Sequence, residues 1–475
     1  MVDAHATVRT MLASQLRGLG VGQVLHAANG HDARQHLQKL GVDMVLVDYQ
    51  PDPHTLGQAL IDDWRRDGLL PLRTVVVMLS SQATYQAVAQ VAESALDGYI
   101  IKPYTPAKLE DRLISAFQRK DALREVYDAI ESDQHAEALA LSDKRFQRRG
   151  PYWTHAARIG AELAIRLDQL PLAEVMYAAV LADKAVPWAK LGLARVLHAE
   201  GDGVQALSTL QNLLADEPKY ADAYDVMGRI HAEQGNLAGA IEAYRQAVEI
   251  TPFSVARAQK YGILAWYAAE PDVARAALEH AASVGGDSPQ FDHQTLLLLA
   301  MARFRQGDAA GLKQCHDQLA GVLGRQTRTS QAPAGRLARL HRLGRMTQAL
   351  VAVHARDRPV LQACLVPVAD DLLSPGFDVE AASNLLSLIA TSAAADLMPQ
   401  HADEWVRCAG LRFCVSKQAT EMLAKACDAA PPLAQLVRAA HGEINEISRT
   451  ALSEGLANRH QRAVEALLQA VERTR

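Results

Sequence analysis

The stretch Val42-Asp43-Met44-Val45-Leu46-Val47-Asp48 decides the fold. Five of its seven residues are apolar and run almost without interruption. A strand that is apolar on both faces belongs in a parallel sheet covered by helices on each side. The run ends on a carboxylate, at the strand terminus where open α/β sheets place their chemistry. Upstream, Val8 to Leu19 carries Val8, Met11, Leu12, Leu16 and Leu19 at helical spacing and stops at Gly20. Gln23 to Ala28 is expected as a short strand closed by Asn29-Gly30, and Asp32 to Leu40 as a helix ending at Gly41. Downstream, Leu60 to Arg66 is helical and Arg73 to Leu79 is a second buried strand. Tyr85 to Ser94 is expected as a helix, Gly98 to Ile101 as a strand and Pro106 to Gln118 as the closing helix. Strands and helices alternating at this spacing predict βα units around a parallel sheet with right-handed crossovers.

Asp48, Ser80 and Lys102 fall at the carboxyl ends of three successive strands. Together with Val2 to Arg9, Met78-Leu79-Ser80-Ser81 and Gly98 to Tyr104, they make residues 2 to about 119 resemble the receiver domain of two-component response regulators. The most specific piece is Lys102-Pro103 after a buried strand, the family's signature for a cis-peptide turn. The resemblance implies a flavodoxin-like, doubly wound α/β domain over residues 1–119. It makes Asp48 the phosphoacceptor, whose carboxylate attacks a phosphoryl group and becomes an acyl phosphate. Lys102 matches the residue that offers a point charge to a phosphoryl oxygen. Ser80 matches the hydroxyl that turns to the phosphate, and Tyr99 the switch aromatic that follows it. Asp3 matches the first of an acidic pair that organises Mg²⁺ together with Asp48.

Two departures bear on this chemistry. The second acid of the pair is Ala4, so Mg²⁺ binding is expected to be weakened and phosphorylation slowed. The loop Tyr49-Gln50-Pro51-Asp52-Pro53-His54 also replaces the family's usual turn. In addition, Met1 and Val2 are short for a central strand, which is the ground for expecting the true start to lie upstream.

Beyond residue 120 a 34-residue period appears. It relates Gly228 to Gly262, Gly201 to Gly235, Pro218 to Pro252, and Ala206 to Ala240 and Ala274. The unit 221–254, with Tyr224, Gly228, Gly235, Ala240, Tyr244 and Pro252, resembles a tetratricopeptide repeat, a helix-turn-helix of this length. Similar units are expected at 187–220 and 255–288, with degenerate ones at 120–153, 154–186 and 293–324. Such repeats stack into an all-α superhelix, here 120–324, whose groove is lined by the first helix of each pair. Trp188, Arg195, Asp222, Asp225, Arg229 and Trp266 are the expected partner-binding residues, for a protein or peptide not named by the sequence. The groove offers no nucleophile, base and orienter together, so no enzyme is expected. Arg325 to Gly335 is expected as a loop, and 336–475 as further helices: degenerate repeats or a cap.

Composition agrees with this division. The chain of 475 residues is long enough for about two to three domains. Its formal net charge of -5, without a basic run, excludes the basic stripe of a nucleic-acid binder. Five cysteines with no CxxC pattern argue for buried free thiols over a disulfide framework, with a zinc site at Cys408 and Cys414 the lesser alternative. No signal peptide and no membrane span are expected, and the location is expected to be cytoplasmic. The functional expectation is a response regulator in a phosphorelay, phosphorylated by a sensor histidine kinase or phosphotransfer protein and acting through its repeats. Helix 106–118 runs on towards the first repeat, so the switch face is expected to abut it. The alternative is a phosphorylation-independent scaffold in which the receiver serves for docking or dimerisation.

Overall fold

The computed structural model describes residues 1–51, 57–81, 96–286, 291–329 and 334–474. The expected helix 85–94 and most of the loop after Tyr49 lie outside them. Contacts divide the chain into two compact units, Met1–Arg257 and Ala258–Arg475.

The first unit opens with α1 (Ala6–Gly18), α2 (Gly30–Lys39), β1 (Met44–Asp48), α3 (Gly57–Arg66), β2 (Val75–Ser80), β3 (Gly98–Ile101) and α4 (Pro106–Ala122). The three strands are parallel in the order β1-β2-β3, with Asp48 beside Leu79 and Ser80 beside Ile101. Alternation along the strands sorts the core. Val45, Val47, Val76 and Met78 pack with Ile61 and Trp64 on one face. Leu46, Val75, Val77 and Leu79 pack with Leu12, Leu16, Leu109 and Leu113 on the other. Helices on both faces of a parallel sheet are the doubly wound arrangement.

The expected strand over 23–28 is reduced to a single bridge. Val2 lies between Ala27 and Val47, parallel to both. Its amide donates to Leu46 and its carbonyl accepts from Asp48. On the other side the Ala27 amide donates to Met1 and the Asp3 amide to Ala27. A ladder needs consecutive pairs, and only Met1 to Asp3 lie alongside this segment, so the extended backbone of 23–28 is not a strand.

Helix pairs follow: α5 (Arg124–Glu131) and α6 (His135–Arg148), α7 (Trp153–Arg166) and α8 (Leu170–Asp183), α9 (Pro187–Ala199) and α10 (Gly203–Asp216), α11 (Ala221–Glu233) and α12 (Leu237–Ile250). The second helices of the last two pairs, α10 and α12, are capped by Asp202 and Asn236, which accept from the amides of Gln205 and Gly239. Gly228 is required by the crossing of α11 and α12: a Cβ there would sit 2.6 Å from the Tyr244 ring. A second close approach lies between successive pairs, where a Cβ on Gly192 of α9 would lie 2.2 Å from the Tyr177 ring of α8.

Within the second unit run α13 (from Val255 in the first unit to Tyr267), α14 (Pro271–Gly285), α15 (Gln294–Arg305), α16 (Ala309–Thr329), α17 (Ala334–His354), α18 (Arg358–Asp370), α19 (Val379–Ala394), α20 (Ala402–Phe413), α21 (Lys417–Ala426), α22 (Pro431–Leu456) and α23 (His460–Thr474). One expectation is corrected: in its described residues the loop expected at 325–335 is helical, through Thr329 and again from Ala334. The last two helices are separated where Asn458 takes a left-handed φ of 57°.

Candidate functional site

Three elements bring charge to the carboxyl edge of the receiver sheet. Asp48 ends β1, Asp3 follows the bridging Val2, and Lys102 follows β3 with a cis bond to Pro103. The Lys102 ammonium bridges both carboxylates, donating to Asp48 Oδ2 and to Asp3 Oδ2, the latter at 3.1 Å. Each carboxylate is also fixed from its other oxygen. Asp3 Oδ1 accepts from the His5 amide at 2.8 Å, and Asp48 Oδ1 from the Gln50 amide at 2.9 Å. Arg9 donates to the Asp3 carbonyl and holds the turn.

Burial alone would raise the Asp3 pKa, but the His5 amide and the Lys102 ammonium outweigh it and hold the carboxyl below its ordinary value. Burial would likewise lower Lys102, yet Asp48 and Asp3 hold it above the usual lysine value. One cation between two anions leaves the cluster with an excess negative charge.

Ser80 is buried at the end of β2, and its hydroxyl is hydrogen-bonded to the half-buried Tyr99. Hydroxyl and ring are thus joined. Tyr104, which sequence reasoning did not single out, brings a buried hydroxyl near Lys102 and Asp3 with no hydrogen-bond partner. Only its place two residues after Lys102 could have marked it.

The donor set suits a hard cation of modest demand. Mg²⁺ binds through one or two carboxylates and keeps several waters, and Asp3 and Asp48 already converge on one charge. Ala4 is exposed and offers no oxygen beyond its carbonyl, which Arg9 engages. Among the described residues no group of three His, Cys, Asp or Glu side chains could hold a metal by itself. Burial pushes the thiols of Cys408 and Cys414 up, which disfavours the thiolate zinc needs.

Comparison with known proteins agrees with this geometry. The model of the response regulator receiver domain matches residues 1–114, and that of the tetratricopeptide repeat matches residues 197–267. Chemotaxis protein CheY-3 of Vibrio cholerae serotype O1 is 31% identical over 119 residues, which is 25% of this chain and 90% of that protein. The chain belongs to the response regulator receiver family. Chemotaxis protein CheY of Pseudomonas aeruginosa is 27% identical over 119 residues, 25% of this response regulator and 94% of that protein. Among solved structures, the C-terminal part of a tetratricopeptide-repeat protein from Cytophaga hutchinsonii aligns with a TM-score of 0.39 at 15% identity. It covers 55% of this chain and 99% of that one.

In this response regulator, among the described residues, the receiver meets the repeats through the end of α4 and the sheet edge opposite Asp48. Asp97, just before β3, accepts from Arg119 at 2.9 Å and from the Val76 amide at 2.9 Å, and pairs with Lys120 at 3.3 Å. Lys120 also donates to the Leu72 carbonyl and lies 4.4 Å from the centre of the Tyr127 ring on α5. The Leu72 amide donates to Glu131 at the end of α5, and Tyr152 donates to Gln118 at 3.3 Å. Helices α4 and α5 bend at Leu123, which carries the chain back under the starts of β2 and β3.

The expected groove residues are largely engaged within the protein. Arg257, buried, donates to Asp222 at 2.7 Å, to Asp225 at 2.9 Å and to the Thr251 hydroxyl at 2.7 Å. Asp222 and Asp225 therefore hold neighbouring helices together, a correction to their reading as partner contacts. Helical period puts a residue on a face but does not say whether the next helix has already claimed it. Arg195 pairs with Glu162 at 3.1 Å, and Tyr177 donates to the same carboxylate at 3.0 Å. Trp188 is half-buried, edge-on to Tyr177 and beneath the Arg158 guanidinium. Arg229 is exposed. Trp266, in the second unit, is half-buried with Arg305 4.5 Å from its ring centre.

Proposed function

We propose that this protein accepts a phosphoryl group on Asp48 from a histidine kinase or phosphotransfer protein and passes the state to its protein-binding repeats in the cytoplasm. The observation that carries this reading is the Lys102 ammonium held between Asp3 and Asp48 at the carboxyl edge of a parallel sheet. A carboxylate fixed beside a cation, with an excess negative charge, is prepared for an electrophilic phosphoryl group and its counter-ion.

An Asp48 oxygen forms the new bond to phosphorus as the bond to the donor's imidazole nitrogen breaks, and the imidazole leaves with the bonding pair. Lys102 follows the negative charge from the carboxylate to a phosphoryl oxygen. Asp3 and Asp48 would hold Mg²⁺, which when bound neutralises charge on the phosphoryl oxygens. Ser80 exchanges its bond to Tyr99 for one to the phosphoryl group, and the ring is freed to take a second position. β3 then links the two ends of the domain, with Lys102 after it and Asp97 before it. A change at the site reaches α4 and α5 through that strand. The reading assigns Asp48 a single phosphoryl group and the repeats no turnover.

Incubation of the full chain with acetyl phosphate and Mg²⁺, followed by intact mass measurement, tests this directly. A labile phosphoryl adduct in the wild type, absent from Asp48→Ala, is expected. No adduct in a folded wild type would leave the alternative that Ala4 favours, a scaffold whose receiver serves only for docking.

A further inference from the structure

The Tyr104 hydroxyl lies beside the carboxylates of the receiver and takes no part in the transfer described above. The chain leaves β3, passes Lys102 and Pro103, and places Tyr104 two residues ahead of α4, near Lys102 and Asp3. Its ring packs against the core cluster to which α1 gives Leu12 and Leu16, and α4 gives Leu109 and Leu113. Phenylalanine would serve that packing equally. The hydroxyl adds only a buried polar atom with no hydrogen-bond partner among the described residues, a state that costs stability and calls for a reason.

The neighbouring groups are already engaged. Lys102 donates to Asp3 and Asp48. The other oxygen of each carboxylate accepts an amide, His5 for Asp3 and Gln50 for Asp48. The carbonyls of Asp3 and Ala4 both accept from Arg9. What remains for the hydroxyl is a partner that a ligand brings. Two carboxylates facing one ammonium favour a cation. Mg²⁺ on Asp3 and Asp48 would keep several waters, and each water has hydrogens to donate. Outer groups that accept those hydrogens orient the shell of the ion and strengthen its binding. Position 4 supplies none, because Ala4 has no side-chain oxygen and its carbonyl is taken.

We infer that Tyr104 is a positioning residue of the cation site, its hydroxyl oxygen accepting from a water on the bound Mg²⁺ in place of the acid that Ala4 lacks. The inference rests on the reading of Asp3 and Asp48 as the carboxylates of the ion. Tyr104 acts through the ion and not on the transferring phosphoryl group.

The experiment is a titration of the full chain with Mn²⁺, free Mn²⁺ being followed by electron paramagnetic resonance and Mg²⁺ used as competitor, with no phosphodonor present. The wild type is expected to hold one Mn²⁺ that Mg²⁺ displaces, and Asp48→Asn to lose it. Tyr104→Phe should weaken both ions about tenfold. Its ion-free melting temperature should stay level or rise, since an unpaired hydroxyl has been removed from a packed ring. With an acid restored by Ala4→Asp, the same Tyr104→Phe change should cost less than ~3-fold, because the carboxylate takes over the water. Mg²⁺ affinity unchanged in Tyr104→Phe but lost in Asp48→Asn overturns the inference and leaves the carboxylate reading intact. A full tenfold loss that persists beside Ala4→Asp also overturns it, by making the hydroxyl merely structural. A wild type without a displaceable Mn²⁺, or one whose site survives Asp48→Asn, overturns the carboxylate reading, and the inference falls with it.

Discussion

The two edges of the receiver sheet carry clusters built from the same residue types with opposite balance. At the carboxyl edge one lysine serves two aspartates, Asp3 and Asp48. At the amino edge one aspartate, Asp97, serves Lys120 and Arg119. Lys102 is 23% exposed in its side chain and Lys120 is 8%. The two lysines titrate in opposite directions as a result. Lys102, with two carboxylates, is held above its ordinary value, while burial drives Lys120 below it despite Asp97, with Arg119 and Arg65 adding to the fall. The accessible cluster has charge to spare and can accept a reacting group. The enclosed one has its carboxylate fully engaged and holds the receiver to α5. Partner count and access separate a site from a joint, where residue type does not.

The largest effect should come from breaking the joint. Asp97→Ala leaves Lys120 and Arg119 without their carboxylate in a buried place, and should destabilise the first unit by ~3–5 kcal/mol in denaturant unfolding. A loss below ~1 kcal/mol would mean that the joint is wet and carries little. The titrations sharpen the contrast at alkaline pH. The contribution of Lys102, whose folded pKa is raised, is complete below its unfolded value near 10.5 and disappears as pH rises through the higher folded value. Lys120, whose folded pKa is lowered, opposes folding below that value, and this opposition fades as pH rises towards 10.5. The stability difference between wild type and Lys102→Met should therefore fall with pH, and that between wild type and Lys120→Met should rise. Equal signs would refute the contrast.

Asp48→Ala should change stability by no more than ~1 kcal/mol, because Lys102 keeps Asp3 and the cluster becomes neutral. Its phosphoryl uptake should nonetheless vanish. A loss of several kcal/mol on thermal melting would instead make Asp48 a structural member like Asp97. Least affected should be Arg195→Ala. Its half-exposed pair with Glu162 is worth about 0.2–1 kcal/mol by double-mutant cycle, and more than that would mark it as part of a network.

Much of the fold was legible because its signals are local or periodic. The apolar run ending at Asp48, the Lys102-Pro103 turn and the 34-residue spacing of Gly228 and Gly262 need no distant partner to be read. Gly228 was legible for the same reason, since Gly262 recurs in phase, while the position of Tyr244 is taken by Leu210 and Leu278 in the flanking units. The joint was not. Asp97 before Gly98 looks like an ordinary turn, and its partners come 22 and 23 residues later on a helix with other basic residues. Asp222 and Asp225 looked like groove residues because period places them on that face, whereas Arg257 reaches them from 35 and 32 residues away. Gly192 escaped notice because the ring that requires it, Tyr177, belongs to the preceding repeat.

The sequence by itself determined the doubly wound receiver, the helical repeats and the carboxylates and lysine at one sheet edge, because burial pattern and period are properties of short segments. Only the tertiary structure decided which of several identical charges meet and how deeply. It made Lys102 the bridge of an open site and Lys120 the pin of a closed joint, and it gave Asp222 and Asp225 to Arg257. The reason is physical. A charge is defined by the partners and solvent around it, and those are assembled by segments that lie far apart along the chain.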